Sequence, residues 1–414
     1  AHVCLVTTGQ PATNPRLVKE ADALVGAGAT VDVVACKFQA WADDADTVFE
    51  DRDWRVHWLR FGTQAPRWKD VWQRARRKIA RLLAGIVGPV PHVAERALHY
   101  VTPELTRAAT RIPADLFIGH NLAALPAAAR AAHTHDARLG FDAEDFHRGE
   151  LPDRPEHDFD RALVAAVEER WIPACDYVTA ASDGIGEAYA KALKVDPPTT
   201  VLNVFPWSDR QSTVPDADLR AESPSGRSLY WFSQNIGPDR GLEDALQVLP
   251  QLPDDVQLTL RGQWARGYES DVQRQARQLG VADRVHHRPL VPPDELIERT
   301  AQHDVGLALE HPVSRNREIC VTNKLFTYLL AGIPFTATDT SGQRPIVDDL
   351  PRAARSYRPG DVDGFADAVR ALLEDDGAGD AALAAARDRY TWDVENERFL
   401  GVVRDTLLQR TPAA

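Results

Sequence analysis

Two stretches of the chain carry residues whose types and spacing suit chemistry. Residues 229–242 read LYWFSQNIGPDRGL, an apolar run and a polar turn leading into a helical pattern, with Gly237, Arg240 and Gly241 at the junction. Backbone N–H groups at a helix start favour an anion, glycines allow it to approach closely, and an Arg supplies bidentate, charge-assisted hydrogen bonds. The chemistry implied is phosphate binding; the same residues also suit an ordinary strand-to-helix turn with a surface Arg. Residues 305–334 read VGLALEHPVSRNREICVTNKLFTYLLAGIP. Thr322 or Asn323 suits a helix N-cap, which puts Lys324 in the first turn, where the helix dipole disfavours a cation unless an anion lies beside it. Lys324 therefore points to a bound phosphate, with a solvated Lys as the alternative.

Further candidates lie in the first half. His120 and Asn121 follow the apolar run 116–119, and FDAEDF at 141–146 places Asp142, Glu144 and Asp145 next to His147 and Arg148. A buried His bonded to backbone and a solvated acidic turn are the plain readings of these two features. The adjacent His286 and His287 point to opposite faces of a strand, which is unsuitable for a metal pair.

The elements that must position these residues follow from the apolar runs. Runs at 2–7, 31–35, 116–119, 139–142 and 177–180 read as buried strands, separated by helix-forming sequence such as 16–25. After a polar stretch containing Pro206, Pro215 and Pro224, the alternation restarts with strands at 229–233, 256–261, 285–287, 305–310 and 335–338, a helix at 242–249, and a final helix opened by Trp392. The pattern predicts an α/β chain with two doubly wound domains, over 1–205 and 227–390, a linker over 206–226, and a C-terminal helix over 391–414 returning to the first domain. A length of 414 residues also favours two cores over one.

Composition narrows the function. A net charge of −13 repels polyphosphates and argues against general nucleic-acid binding, so any phosphate contact must be local. Four dispersed cysteines form neither a disulfide framework nor a zinc site, and a reducing, cytoplasmic setting fits them. Within this acidic chain the segment 67–87 is basic, with Trp68, Trp72, Ala75, Ile79, Leu82 and Ile86 recurring at helical spacing. An amphipathic helix with its apolar stripe in the core is one reading; peripheral contact with anionic lipid at the inner face of a membrane is the other.

Taken together, SQNIGPDRGL and, about eighty residues later, TNKLFTYLLAGIP resemble the donor domain of GT-B glycosyltransferases of the large retaining family 4, the glycosyl transferases group 1. The resemblance extends over most of the chain. It implies two Rossmann-like domains facing an interdomain cleft, and transfer of a sugar from a nucleotide diphosphate sugar, such as a UDP- or GDP-sugar, to a hydroxyl of a glycan, lipid-linked or small-molecule acceptor. It implies no cofactor and no metal. By position, Arg240 matches the family's phosphate-binding lysine, Gln234 stands where an Arg is usual, and Lys324 supplies the second positive charge instead. His120 is similar to the strand-end histidine that approaches the donor sugar. Gly9 and Gln10 look like the first loop, and Ser233, Gly237 and Asn323 complete the donor side. Asp142, Glu144 and Asp145 resemble acceptor-side carboxylates that orient sugar hydroxyls. The family's two glutamates are separated by seven residues, a spacing shared by Glu310 and Glu318. The register of the AG-x-P turn, however, places Thr327 where the second is usual. Glu310 is thus read as the sugar-side carboxylate, Glu318 as a coincidence of spacing, and Thr327 as offering ribose one hydrogen bond where a carboxylate accepts two. A non-catalytic sugar-nucleotide-binding protein and a GT-B nucleotide-sugar epimerase are the alternatives on the same fold.

Overall fold

The computed structural model describes residues 1–40, 43–49, 51–210, 219 and 225–408. Pro215, Pro224 and most of the expected linker 206–226 lie outside the described residues. By internal contacts the chain forms two units: Ala1–Leu202 with Ser314–Asn316 and Asn396–Ala414, and Asn203–Val313 with Arg317–Glu395. The last helix, Trp392–Leu408, therefore contributes its first residues to the second unit and the rest to the first.

The first unit is built on a seven-stranded sheet in the order β3-β2-β1-β4-β5-β6-β7, with every pairing parallel. Its strands are β1 (His2–Thr7), β2 (Thr30–Lys37), β3 (Arg55–Arg60), β4 (Leu116–His120), β5 (Arg138–Ala143), β6 (Tyr177–Ala180) and β7 (Thr199–Thr200). A parallel sheet covered on both faces needs strands that are apolar throughout, and β1 and β4 are buried almost end to end. The chain lays down β1, β2 and β3 outward in one direction and then returns to add β4 on the other side of β1. That reversal opens a crevice beyond the carboxyl ends of β1 and β4, where open α/β sheets hold ligands.

The second unit repeats the plan with six parallel strands in the order β10-β9-β8-β11-β12-β13. They are β8 (Ser228–Ile236), β9 (Gln257–Trp264), β10 (Val285–Arg288), β11 (Val305–Ala308), β12 (Phe335–Thr338) and β13 (Ala354–Tyr357). Leu229, Trp231, Leu258, Leu260, Val305 and Leu307 from the central strands pack with Leu242, Leu246 and Phe365 from the helices into one core. The reversal here lies between β8 and β11. Strand β8 runs on past the expected end at residue 233, through an irregularity between Phe232 and Asn235, to Ile236. β11 stops at Ala308, two residues short of the sequence expectation, leaving Glu310 in the loop.

The helix Arg67–Val87 forms as the spacing predicts but with the opposite orientation from the core-facing expectation. Gln73, Ala80 and Ala84 face inward, whereas Trp68, Trp72, Ile79, Leu82 and Ile86 are exposed. Small residues on the inner face let the helix lie close against the unit. Arg76 reaches Glu104 at 2.6 Å and donates to the Tyr100 carbonyl, Arg77 donates to the Ala97 carbonyl, and Arg81 pairs with Asp160. Three of the cations expected to meet lipid are thus spent on the protein itself.

Candidate functional site

In the second unit the β8–β11 reversal gathers charge. Strand β8 leads through Gly237 and Pro238 to Arg240, and Gly241 turns the chain into the helix Leu242–Val248 with φ +74°. A Cβ at Gly241 would lie 2.8 Å from that of Leu309, so only glycine lets this loop close on the segment after β11. The closure sets Arg240 Nη1 3.7 Å from Glu310 Oε2. From the other side, Lys324 opens the helix Lys324–Ala331 and puts its Nζ 2.9 Å from Glu310 Oε1. Tyr328 fixes that helix by donating to the Leu307 carbonyl at 2.9 Å, with its ring packed where Gly306 has no side chain. Thr338 Oγ1 accepts the Glu310 N–H at 2.9 Å, and Lys324 lies over the Trp231 ring. Burial alone would raise the Glu310 pKa, yet Lys324, Arg240 and Arg317 together hold its carboxyl below the usual range. Arg317 is anchored by the Asp239 carbonyl at 2.6 Å. Lys324 and Arg240 thus flank one carboxylate, and Arg317 adds to the positive field at it.

This geometry changes several expectations. The anion that balances Lys324 in the first helical turn is Glu310, within the protein, rather than a required phosphate. The start of the Leu242–Val248 helix carries its own acids: Glu243 accepts from Tyr268 at 2.6 Å, and Asp244 accepts from His311, Tyr357 and the Gly360 N–H. Those carboxylates already complement the dipole, which leaves Arg240 as the candidate anion-binding element of the motif. Thr327 is fully buried and bonds back to the Asn323 carbonyl at 3.3 Å, so it faces no ligand. Glu318 is half-buried and accepts the Ser341 N–H with one oxygen at 3.1 Å. Asn323 occupies the N-cap position without a side-chain cap bond, Gly237 is buried in the loop, Ser233 is half-buried, and Gln234 is exposed within the β8 irregularity.

In the first unit the β1–β4 reversal holds a cavity of about 340 Å³. Gly9, Asn121, Glu144 and Asp145 line it on the strand-end side, and Phe38, Phe61, His99 and Tyr100 form an aromatic wall. Within the wall, Phe38 stacks on Phe61 at 5.1 Å, His99 stacks on Tyr100 at 5.0 Å, and Phe61 meets both of the latter edge-on. Asn121, at φ +69°, is held by Thr7 and Thr8. Burial, reinforced by the Asp142 carboxylate, pushes Glu144 up to about 7.

The residues beneath this cavity are structural. Gln10 is fully buried and spends its amide on Asp43, Asp46 and the N–H groups of Phe38 and Gln39, so it shapes the first loop instead of meeting a donor. His120, expected at the donor sugar, is 0 % exposed and sits 3.1 Å from Glu20 and 3.6 Å from Asp142. Asp142, expected on the acceptor side, is likewise buried: Arg16 grips both its oxygens at 2.6 and 2.8 Å, and Thr179 donates at 2.7 Å. Glu20, His120 and Asp142 converge closely enough to hold a metal ion. The Arg16 guanidinium already occupies both Asp142 oxygens, and the trio therefore reads as an internal ion cluster.

His99 yields a pH prediction. Burial, with Arg77 nearby, lowers its pKa from 6.5 to about 4. The unfolded chain therefore binds the proton more readily than the native one, and the contribution is complete above pH 6.5 and lost as pH falls toward 4. Urea unfolding across that window should show a loss on the order of 2–3 kcal/mol in the parent that is missing in His99→Gln. Parallel curves for the two proteins would contradict it.

Solved structures share this fold over nearly the whole chain. Anabaena Alr3699/HepE in complex with UDP gives a TM-score of 0.67 at 17 % identity, covering 98 % of this chain and 99 % of that one. Sucrose-phosphate synthase from Thermosynechococcus elongatus gives 0.69 at 15 %, covering 98 % and 99 %. The UDP-forming α,α-trehalose-phosphate synthase from Burkholderia vietnamiensis gives 0.64 at 15 %, covering 98 % and 100 %. The chain has the GT-B fold. Within it, residues 227–375 match the family model of glycosyl transferases group 1. No curated protein matches the chain. At these identities the structural likeness establishes the GT-B fold alone, and the family match adds that the unit holding Arg240, Glu310 and Lys324 is similar to group 1 glycosyl transferases. Arg317 escaped the sequence reading because its helix, Arg315–Ile319, is too short to show periodicity. The aromatic wall escaped it because Phe38, Phe61 and the pair His99–Tyr100 come from three separate loops.

Proposed function

We propose that this GT-B chain transfers a sugar from a nucleotide diphosphate sugar to a hydroxyl acceptor, with retention at the anomeric carbon. The observation that carries the reading is the convergence of Arg240 and Lys324 on Glu310 at the β8–β11 reversal, with Arg317 adding to the positive field there, in the segment that matches group 1 glycosyl transferases.

Each group has a role in that reading. Arg240 and Arg317 neutralise the charge that grows on the departing diphosphate, the electrostatic contribution that usually dominates such a step. Lys324 keeps Glu310 ionised and fixed, so that its remaining acceptor capacity orients donor-sugar hydroxyls. Glu318, rather than Thr327, accepts from the ribose. In the first unit, the aromatic wall provides an apolar face for a sugar ring, while Glu144 and Asp145 bind its hydroxyls. The leaving phosphate oxygen takes the acceptor proton as the new glycosidic bond forms on the face the diphosphate leaves, so no side chain need act as nucleophile. In this reading the charge neutralisation comes from side chains and no resident metal is required. UDP-sugars come first among donors, because the structural neighbours include a UDP complex and a UDP-forming synthase.

The test is turnover of a panel of UDP- and GDP-sugars with mixed glycan and lipid-linked acceptors. Release of nucleoside diphosphate that depends on acceptor supports transfer. Conversion of the donor without acceptor would identify an epimerase, and tight binding with no turnover would identify a non-catalytic binder; either would overturn the proposal.

A further inference from the structure

We propose that the Arg67–Val87 helix docks the first unit on an anionic lipid surface, with its apolar face entering the bilayer interface. The helix runs for 21 residues, about 31 Å at 1.5 Å per residue. Trp68, Trp72, Ile79, Leu82, Leu83 and Ile86 occupy its outward side, with Trp68 74 % exposed, Trp72 59 % and Ile86 80 %. A folded chain rarely leaves such a contiguous apolar patch in water unless something covers it.

The polarity is inverted relative to an ordinary surface helix. Arg76, Arg77 and Arg81 turn inward to Glu104, the Ala97 carbonyl and Asp160, while the apolar residues turn out. Were the apolar side built for the core, these anchoring contacts would lie on the opposite face. The inward cations hold the helix so that its apolar side points to the surroundings.

Charge decides what covers that side. Arg67 and Lys78 flank the apolar face, are exposed, and among the described residues pair with no carboxylate. Two copies of the face brought together would set like charges against each other, whereas an anionic headgroup layer supplies the opposite charge and an apolar layer beneath it. Trp68 and Trp72 suit the boundary between the two, since indole combines an apolar body with one polar N–H. The overall charge of −13 would otherwise drive the chain away from such a surface, so the attraction must be local to this helix. The docking is independent of the proposed transfer and is measured without donor or acceptor.

The experiment is flotation of the full chain with phosphatidylcholine vesicles, with and without phosphatidylglycerol, followed by tryptophan emission. The parent protein should float only with the anionic vesicles, shift its emission to the blue, and be quenched by brominated acyl chains. The Trp72→Ser, Ile79→Ser, Leu82→Ser triple variant, altered only at exposed positions, should keep the parent melting curve and lose flotation. Arg67→Gln and Lys78→Gln should each weaken binding roughly fivefold. Parent protein that stays with the soluble fraction overturns the proposal, as does a triple variant that floats like the parent. A parent dimer that the triple variant converts to monomer, with no flotation, overturns it too and assigns the face to a second copy.

Discussion

Replacing Lys324 by Ala is expected to abolish sugar transfer and to destabilise the second unit together. Lys324 and Glu310 are both almost fully buried and meet at 2.9 Å, so removal of the ammonium leaves a carboxylate with only the more distant Arg240 and Arg317 to compensate it. Breaking a buried pair from one side costs about 3–5 kcal/mol, far more than the pair itself contributes. The second unit should melt earlier, and transfer should fall by roughly a hundredfold or more, because Glu310 is no longer held to orient the donor sugar. Stability and function separate in the double variant Lys324→Met, Glu310→Leu. Filling the site with apolar side chains of similar size should recover most of the stability and none of the transfer. Recovery of both would mean that the pair is scaffolding and the reaction lies elsewhere.

The second large effect is expected in the first unit, at Arg16. Its guanidinium is 0 % exposed, holds both oxygens of Asp142, and donates to the Val201 carbonyl at 2.6 Å. Arg16→Met leaves Asp142 and Glu20 with His120 as the cation facing both and should cost about 3–5 kcal/mol. Burial opposes a charge on His120, but Glu20 and Asp142 prevail and raise its pKa. The stability from its proton is therefore complete below the ordinary imidazole value of 6.5 and lost as pH rises through the raised native value. The variant should thus unfold at lower urea than the parent and show a steeper loss on the alkaline side, where His120 no longer offsets the carboxylates. Arg16→Met with parent stability would show that the cluster carries no net charge to balance.

Much of the fold was legible because buried parallel strands announce themselves as apolar runs. The strands His2–Thr7, Tyr177–Ala180 and Phe335–Thr338 fall where those runs do. Strand Arg55–Arg60 escaped because, at the sheet edge, RVHWLR mixes charge with apolar residues; Ala354–Tyr357, at the other sheet's edge, is only four residues long. At the site, the junction of Arg240 and Gly241 was legible because a glycine at positive φ and a cation before a helix are local features. The Lys324–Glu310 pair was not, since thirteen residues of loop and helix separate the partners. Nor does sequence tell whether a polar side chain at a strand end turns into the core or out of it. Gln10, His120 and Asp142 turn in and hold the scaffold, whereas Asn121, Glu144 and Asp145 line the cavity. The same ambiguity governs Arg67–Val87: periodicity establishes that the helix has two faces, and only the inward contacts of Arg76, Arg77 and Arg81 decide which one is outside.

The central claim is that Arg240 and its neighbours bind the diphosphate of an activated sugar. Calorimetric titration of the chain with UDP, GDP, ADP, CMP and dTDP, beside an Arg240→Ala variant that removes only a partly exposed cation, tests it most directly. The account predicts micromolar binding of one nucleoside diphosphate, weaker binding of CMP, and a loss of at least tenfold in the variant, about 1.4 kcal/mol. Equal affinity in parent and variant would contradict it, because the diphosphate would then be held somewhere other than the β8–β11 reversal.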